Sequence, residues 1–264
     1  MKASVIGFVL LYSLNSMRIL CPSKTFLVGE YAVLTGGLAL LLATPPCFSW
    51  DNEGFYDPYD GKGGFGASGA DFVISAKRQG MVDPWKVLAS YKEKGFSGSG
   101  ADIVCQWMGG LTYFFPREKI IQKIQWPFEN LCIGLIHTGN KLNTHEHLEK
   151  LNPSNFEGLE KVVEDCYASI KNNDKLLFIK SISGYAVELD KLSLVTESTK
   201  KLLDKLNQNN MILATKGCGA MGSDVVLVII EKQQKDNFEE FCKTEKLNLV
   251  YCDNEFAQGA IQYD

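Results

Sequence analysis

The sequence predicts a fold in which helices and strands are mixed, of the α/β or the α+β class. Apolar runs typical of strands alternate with segments of helical periodicity along the whole chain. The composition agrees, because 45% hydrophobic and 22% charged residues is the balance of an ordinary globular protein. A chain of 264 residues can form one large domain or two modest ones.

Strands are predicted at the start of this chain, before its first glycine-rich stretch. RILC (18–21) and TFLV (25–28) are predicted as short strands around a turn, and LALLLAT (38–44) as a buried strand. Residues 48–64 are rich in Asp, Gly, Tyr and Pro, which predicts a loop.

Two helices are expected after that loop. Apolar spacing begins after Gly66 and ends near Gly80. The second helix has Asp83 as its expected N-cap, Pro84 in its first turn and Gly95 beyond its end. Later elements follow as a third helix closed by Gly109 and Gly110, strands at 111–116 and 131–138, mostly helix over 143–209, strand–loop–strand over 211–230, a helix near 233–246 and a strand at 247–253.

Three loops combine glycine with small residues: PSKTFLVGEY (22–31), GGFGASGA (63–70, here the phosphate loop) and KGCGAMGSD (216–224). Glycine lets the backbone approach an anion closely, and a following helix presents unpaired N–H groups to it. For each loop taken alone, a plain turn is the favoured interpretation. None is a P-loop or a dinucleotide-binding fingerprint.

Taken in order, these segments resemble the motifs of the GHMP kinases, the superfamily of galactokinase, homoserine kinase, mevalonate kinase and phosphomevalonate kinase. CPSKTFLVGEYAVL (21–34) resembles the first motif, APGKxxLxGEYxVL, and the phosphate loop is similar to PxGxGLGSSAA. SGSGADIVCQWMGG (97–110) resembles the segment that carries the catalytic aspartate. KGCGAMGSDVVLVI (216–229) resembles the third motif, KxTGAGxGGxxxxL.

The resemblance implies an α+β fold with two domains and a site between them. Residues 17–130 would form an N-terminal ATP-binding domain similar to ribosomal protein S5 domain 2, and 131–264 a ferredoxin-like domain. Residues 1–16 contain a short apolar segment that imitates a signal peptide. We interpret them as an upstream extension from a misplaced start codon, with a real signal peptide as the alternative.

The resemblance also implies roles for individual residues. Asp102 would accept or polarise the proton of the attacking oxygen, and Lys24 would lie beside it. Without the resemblance, a helix N-cap is the favoured interpretation of Asp102, and a solvated surface lysine is the alternative for Lys24. Ser68 would lie near Mg²⁺. The ATP phosphates would be wrapped by Gly63, Gly64, Gly66, Ala67, Ser68 and Gly69, and the substrate side would include Glu30, Tyr31, Gly219, Ala220 and Gly222.

A polar run, HTGNKLNT (137–144), resembles the segment of phosphomevalonate kinases that faces the substrate. It adds His137, Thr138, Lys141 and Thr144 as substrate-site candidates. The alternative is a polar loop that caps the next helix through Asn143.

The chain also departs from the family pattern. Ser23 and Ala67 replace a glycine and a serine, and the third motif has Met221 and Ser223 where glycine or alanine is usual. The spacing before the phosphate loop and before Asp102 is short. No upstream glutamate clearly matches the family's magnesium ligand, and Glu93 is only a guess.

We therefore expect a kinase that uses ATP and Mg²⁺ to phosphorylate phosphomevalonate or mevalonate, in the mevalonate pathway of isoprenoid biosynthesis. The shortened N-terminal half leaves open a non-catalytic nucleotide-binding or regulatory protein, and a diphosphomevalonate decarboxylase is a third reading. A zinc site is not favoured, because His145 and His147 are two residues apart and point apart on a helix.

The net charge of −4 gives no reason to expect nucleic acid or an anionic membrane as a partner, although local basic sites can bind small anions. We expect a small-molecule phosphate acceptor as partner and leave a homodimer open. Eight cysteines, several inside apolar runs and none in CxxC pairs, indicate buried free thiols and a cytoplasmic protein.

Overall fold

The computed structural model describes residues 17–96, 98–139 and 156–263, and all that follows refers to them. Helices and two antiparallel sheets are mixed along the chain, so the fold is α+β. The prediction of a mixed fold is confirmed. The division near residue 130 stays a prediction, and residues 1–16 lie outside the described part.

The first sheet has six strands in the order β10-β1-β2-β4-β5, with β3 paired to β2. The C-terminal strand thus returns to pair with the first strand of the chain. The strands of this sheet are β1 (Arg18–Val28), β2 (Ala39–Asp51), β3 (Gly54–Tyr56), β4 (Leu111–Phe115), β5 (Ile120–Ile124) and β10 (Ile261–Tyr263).

The second sheet has four strands in the order β7-β8-β6-β9. Its central strands are continuous apolar runs because both faces are covered: every residue of β6 is buried. The strands of this sheet are β6 (Leu131–His137), β7 (Ile212–Cys218), β8 (Val225–Glu231) and β9 (Asn248–Asp253).

The α-helices of the described residues are α1 (Ala67–Arg78), α2 (Pro84–Glu93), α3 (Ala101–Met108), α4 (Glu157–Lys171), α5 (Lys175–Lys191), α6 (Glu197–Asn207) and α7 (Lys235–Thr244). The predicted start of α2 is confirmed. The Asp83 side chain accepts a hydrogen bond from the N–H of Trp85 at 2.8 Å, and Pro84 occupies the first turn.

Two predictions about the first strands are wrong. RILC and TFLV are not separate strands, because β1 runs through both of them. The pairing of β1 with β2 is irregular between Cys21 and Ser23 and between Phe26 and Val28, so the strand continues past the turn-forming residues. Residues 48–64 are also not entirely loop. β2 continues to Asp51 and forms a short antiparallel hairpin with β3, in which Trp50 pairs with Phe55.

One continuous hydrophobic core includes buried residues from both sheets, such as Leu40 of β2 and Leu227 of β8. None of the eight cysteines, all of which the structure describes, forms a disulfide, and seven of them are buried. Within the described ranges, no helix is both long and apolar enough to cross a membrane.

Candidate active site

The phosphate loop runs alongside β1 and is hydrogen-bonded to it. The N–H of Lys24 donates to the carbonyl of Phe65 at 3.1 Å. Gly66 is the N-cap of α1 and has φ 87°, the left-handed region that favours glycine. A Cβ at Gly66 would lie 3.0 Å from Lys24 Cγ, so the lysine stem packs directly on the loop. The glycine therefore allows both the turn and the close approach of Lys24.

The first turn of α1 begins with Ala67 and Ser68. The first N–H groups of a helix have no intrahelical acceptor, and the helix dipole adds a positive field there. Ser68 is exposed, whereas Gly69 is buried. This end of α1 is thus a place where an anion can approach backbone N–H groups and one hydroxyl.

Asp102 lies in the first turn of α3 and is half-buried. Gly100, not Asp102, is the N-cap of α3. Asp102 Oδ2 lies 3.1 Å from where a Cβ of Gly69 would be. The carboxylate therefore faces the first turn of α1 and is free of a capping role.

Lys24 and Asp102 approach the same loop at different points. Lys24 packs on Gly66 and its ammonium lies 5.2 Å from the Phe26 ring centroid, and the two side chains form no ion pair within the described structure. Both are close to the buried Cys105. Burial raises the pKa of this thiol to about 12, while the charge of Lys24 lowers it and that of Asp102 raises it.

Gln106 of α3 connects β1 to the phosphate loop, and it was not among the site residues predicted from the sequence. It is fully buried, and its Nε2 donates to the carbonyls of Pro22 and Gly66, each at 3.0 Å. Its Oε1 has no hydrogen-bond partner among the described atoms and lies 2.5 Å from where a Cβ of Gly69 would be. Because it follows Asp102 by four residues, helical spacing places it on the same face and could have revealed it.

The third glycine loop meets the phosphate loop through Asp224. A Cβ at Gly64 would lie 2.6 Å from Asp224 Cβ, and Gly64 has φ 93°. Gly219, with φ 88°, also lies against the Asp224 carboxylate. Ala220 and Gly222 form a short 3-10 helix beside it. Asp224 was missed although it directly follows the loop's last small residue.

Glu30 lies in a buried ion pair rather than beside an open cavity. Lys216 Nζ is 2.8 Å from Glu30 Oε1, and the two side chains are 0% and 6% exposed. Lys216 also donates to the Phe26 carbonyl at 3.3 Å and to Cys218 Sγ at 3.2 Å. Burial alone would lower the pKa of Lys216, but Cys218 and Glu30 outweigh it and the pKa is raised. This pair connects the end of β1 with β7.

Tyr31 forms a second link between the first and third motifs. The side chain is buried, and its hydroxyl accepts a hydrogen bond from the N–H of Met221 at 3.0 Å. Burial is the main cause of its raised pKa. Met221 is a non-glycine residue with φ 54°. Its hydrogen bond to the Tyr31 hydroxyl helps to hold the turn of the third loop.

The two substrate-site candidates at the end of β6 lie beside the same loops. His137 is buried and its ring stacks on Phe65, with centroids 5.8 Å apart. The N–H of Thr138 donates to the Asp224 carbonyl at 3.1 Å, and its hydroxyl donates to the Ser223 carbonyl. Lys141 and Thr144, the other two candidates, lie outside the described residues.

One departure from the family pattern, at Ser23, has a local explanation. Ser23, which replaces a glycine, is buried and its hydroxyl donates to the Pro46 carbonyl at 2.7 Å. Glu93 is exposed at the end of α2. Among the described residues, no group of three or more His, Cys, Asp or Glu side chains could hold a metal ion.

The sequence matches no protein-family model and no curated protein sequence. Solved structures do match. Phosphomevalonate kinase from Streptococcus pneumoniae is 16% identical, with a TM-score of 0.74 over 90% of this chain and 99% of that one. The same enzyme in complex with phosphomevalonate and AMPPNP is 16% identical, with a TM-score of 0.71 over 90% and 99%. Mevalonate kinase from Methanococcus jannaschii is 16% identical, with a TM-score of 0.69 over 91% and 99%.

Similarity at this level of identity shows the fold alone, and each match covers most of both chains. The chain therefore has the fold of the GHMP kinases, as its motifs predicted.

Proposed function

We propose that this chain is an ATP-dependent kinase that phosphorylates phosphomevalonate or mevalonate. The observation that carries the proposal is that the Lys24 side chain and the Asp102 carboxylate both lie against the loop and first turn that form the N-terminus of α1. Phosphoryl transfer needs mainly positioning and stabilisation of charge, and these groups supply both. The solved complex of a fold neighbour with AMPPNP supports ATP as the donor.

Each group has a distinct task in this proposal. The N–H groups of Ala67 and Ser68 hold phosphate oxygens, and Lys24 offsets their charge. Asp102 orients the attacking oxygen. A phosphate acceptor such as phosphomevalonate is already ionised, so Asp102 then acts as an organiser more than as a base.

At this site, nucleotide phosphates would hold Mg²⁺ more than protein side chains would. Mg²⁺ is usually held by substrate phosphates with one or two protein oxygens, and the exposed Ser68 hydroxyl and the Asp102 carboxylate are the nearest candidates. When bound, the ion would neutralise charge on the phosphates.

The test is ADP release from MgATP with mevalonate, phosphomevalonate, galactose and homoserine offered separately. We expect turnover with one of the first two. Asp102→Ala should abolish turnover and spare ATP binding, whereas Asp236→Ala, in the first turn of α7, should change neither. Silence with all four acceptors would contradict the proposal. ATP binding by calorimetry without turnover would favour the non-catalytic reading instead.

A further inference from the structure

The short connection from β3 to the phosphate loop is folded on itself. The Asp57 carboxylate accepts hydrogen bonds from the N–H groups of Tyr59 at 2.9 Å and Gly61 at 3.1 Å. The N–H of Lys62 donates to the Tyr59 carbonyl at 3.0 Å. Of residues 57–62, all of which the structure describes, only Tyr59 is buried. This turn fixes the backbone of Tyr59, so its side chain enters the fold from a defined position.

The Tyr59 hydroxyl is hydrogen-bonded beside the phosphate loop. Ser23 of β1 donates to the Pro46 carbonyl of β2 at 2.7 Å, so its oxygen can still accept a hydrogen bond. The Tyr59 hydroxyl lies 2.5 Å from that serine oxygen and 3.1 Å from the Pro46 carbonyl. Because the serine proton is directed to Pro46, Tyr59 is the donor to Ser23. The hydroxyl therefore connects Tyr59 to β1 at the residue that precedes Lys24.

The Tyr59 ring packs on the phosphate loop itself. Its centroid lies 4.0 Å from that of Phe65, and the two ring planes are 10° apart. Phe48 of β2 also contacts the Tyr59 ring, with centroids 5.6 Å apart. Phe65 is 1% exposed, and its carbonyl accepts the N–H of Lys24. Buried aromatic rings contribute strongly to such a contact, so one side chain holds β1, β2 and the residue before Gly66 together.

We propose that Tyr59 is a positioning residue for the nucleotide. It holds Phe65, and through it the turn at Gly66, in the geometry that presents the N–H groups of α1 to phosphate oxygens. That the ligand is ATP rests on the proposed function, whereas the fixing of the loop does not. The short spacing before the phosphate loop explains why one residue has this task, because Tyr59 is the buried anchor of the connection.

The first arm of the test observes the loop in the full chain without nucleotide. Hydrogen exchange of the Lys24 amide, which donates to the Phe65 carbonyl, is followed by NMR. The amide of Leu227, in the inner strand β8 of the second sheet, reports global unfolding. We expect Tyr59→Leu to accelerate exchange at Lys24 about tenfold relative to Leu227. No acceleration, or equal acceleration of both amides, overturns the proposal.

Three further variants separate the stack from a general loss of stability. Tyr59→Phe keeps the ring and should keep most of the protection of the Lys24 amide. Phe65→Leu removes the same stack from the loop side, should reproduce the acceleration, and replaces Tyr59→Leu if that variant does not fold. Tyr251→Leu is the matched control, because Tyr251 is also buried and its hydroxyl also donates to a carbonyl, at 2.9 Å. It should not accelerate exchange at Lys24 relative to Leu227, and a selective acceleration there would contradict the proposal.

The second arm measures the nucleotide. In calorimetric titration with MgATP, we expect Tyr59→Leu to raise the dissociation constant about tenfold, Tyr59→Phe to restore most of the affinity, and Tyr251→Leu to change nothing. In turnover, Tyr59→Leu should raise the KM of ATP and leave the KM of the acceptor unchanged. Faster exchange at Lys24 with unchanged ATP affinity overturns the positioning role. A wild type that binds no MgATP, although Tyr59→Leu frees the loop in the first arm, refutes the proposed function and leaves the fixing of the loop standing.

Discussion

Removing the charge of Lys216 should strongly destabilise the fold. Lys216 is fully buried, and Glu30 is its ionic partner at 2.8 Å. Lys216→Met keeps most of the side chain, lacks only the terminal ammonium position, and leaves the Glu30 carboxylate buried without a counter-charge. One oxygen of that carboxylate, Oε2, already has no hydrogen-bond partner among the described atoms. The variant therefore isolates a buried charge that the protein cannot solvate.

The magnitude follows from the geometry. Two unit charges at this separation attract each other by about 6 kcal/mol at an effective dielectric constant of about 20, and desolvation offsets part of this. Removal of one partner of a buried pair costs about 3–5 kcal/mol. A protein of ordinary stability has about 5–15 kcal/mol in total, so the loss is a large fraction.

The assay is denaturant unfolding followed by tryptophan fluorescence, with the free energy of unfolding extrapolated to water. Glu30→Gln should also destabilise, and the Lys216→Met/Glu30→Gln double variant should lose less than the sum of the two single losses, because no uncompensated charge remains. Lys161→Met is the control, since Lys161 forms an exposed ion pair with Asp165, and we expect no measurable change. A loss of unfolding free energy below about 1 kcal/mol in Lys216→Met would show that the Lys216–Glu30 pair does not stabilise the fold.

Three further predictions concern the loops and the end of β6. Gln106→Met removes the amide that donates to the carbonyls of Pro22 and Gly66. We expect ATP binding to weaken about tenfold in a calorimetric titration. Unchanged binding would show that these hydrogen bonds do not hold the phosphate loop in shape. Gly64→Ala places a Cβ 2.6 Å from Asp224 Cβ at a residue with φ 93°. We expect it to lower the unfolding free energy and the ATP affinity more than Gly61→Ala, whose Cβ would meet nothing within 4 Å. Equal effects of the two variants would show that the predicted clash does not occur. Because the folded-state pKa of His137 is lowered, the unfolded chain binds the proton first, and stability is lost as pH falls below about 6.5. We expect His137→Gln to lose less unfolding free energy than the wild type between pH about 7.5 and pH about 5.5, measured by denaturant unfolding at both pH values. An equal loss in the two proteins would contradict this prediction.

The sequence predicts most of the fold because its signals are local. Asp83 caps α2 as expected, since an N-cap depends only on its own turn. The strand β1 was divided in two because proline and serine are typical of turns, yet pairing with β2 on one side keeps the strand continuous across them. The hairpin of β2 and β3 was missed since Trp50 pairs with Phe55 within a polar stretch that resembles a loop.

The candidate site was predictable where its residues belong to glycine loops, and less so elsewhere. Gly66 and Asp102 were found because each stands in a recognisable motif. Asp224 and Lys216 act through contacts with distant segments, and no spacing within the sequence brings those segments together. Gln106 was open to prediction, because it follows Asp102 by four residues on the same helix. Burial of a polar side chain is visible only once the chain is folded.

The most direct test of this account is a crystal structure of the full chain with AMPPNP and Mg²⁺. We expect the triphosphate to lie against the first turn of α1, with phosphate oxygens near the N–H groups of Ala67 and Ser68. We also expect Lys24 and Asp102 to flank the terminal phosphate. A triphosphate bound elsewhere, or a nucleotide whose phosphates leave the end of α1 empty, would contradict the central claim.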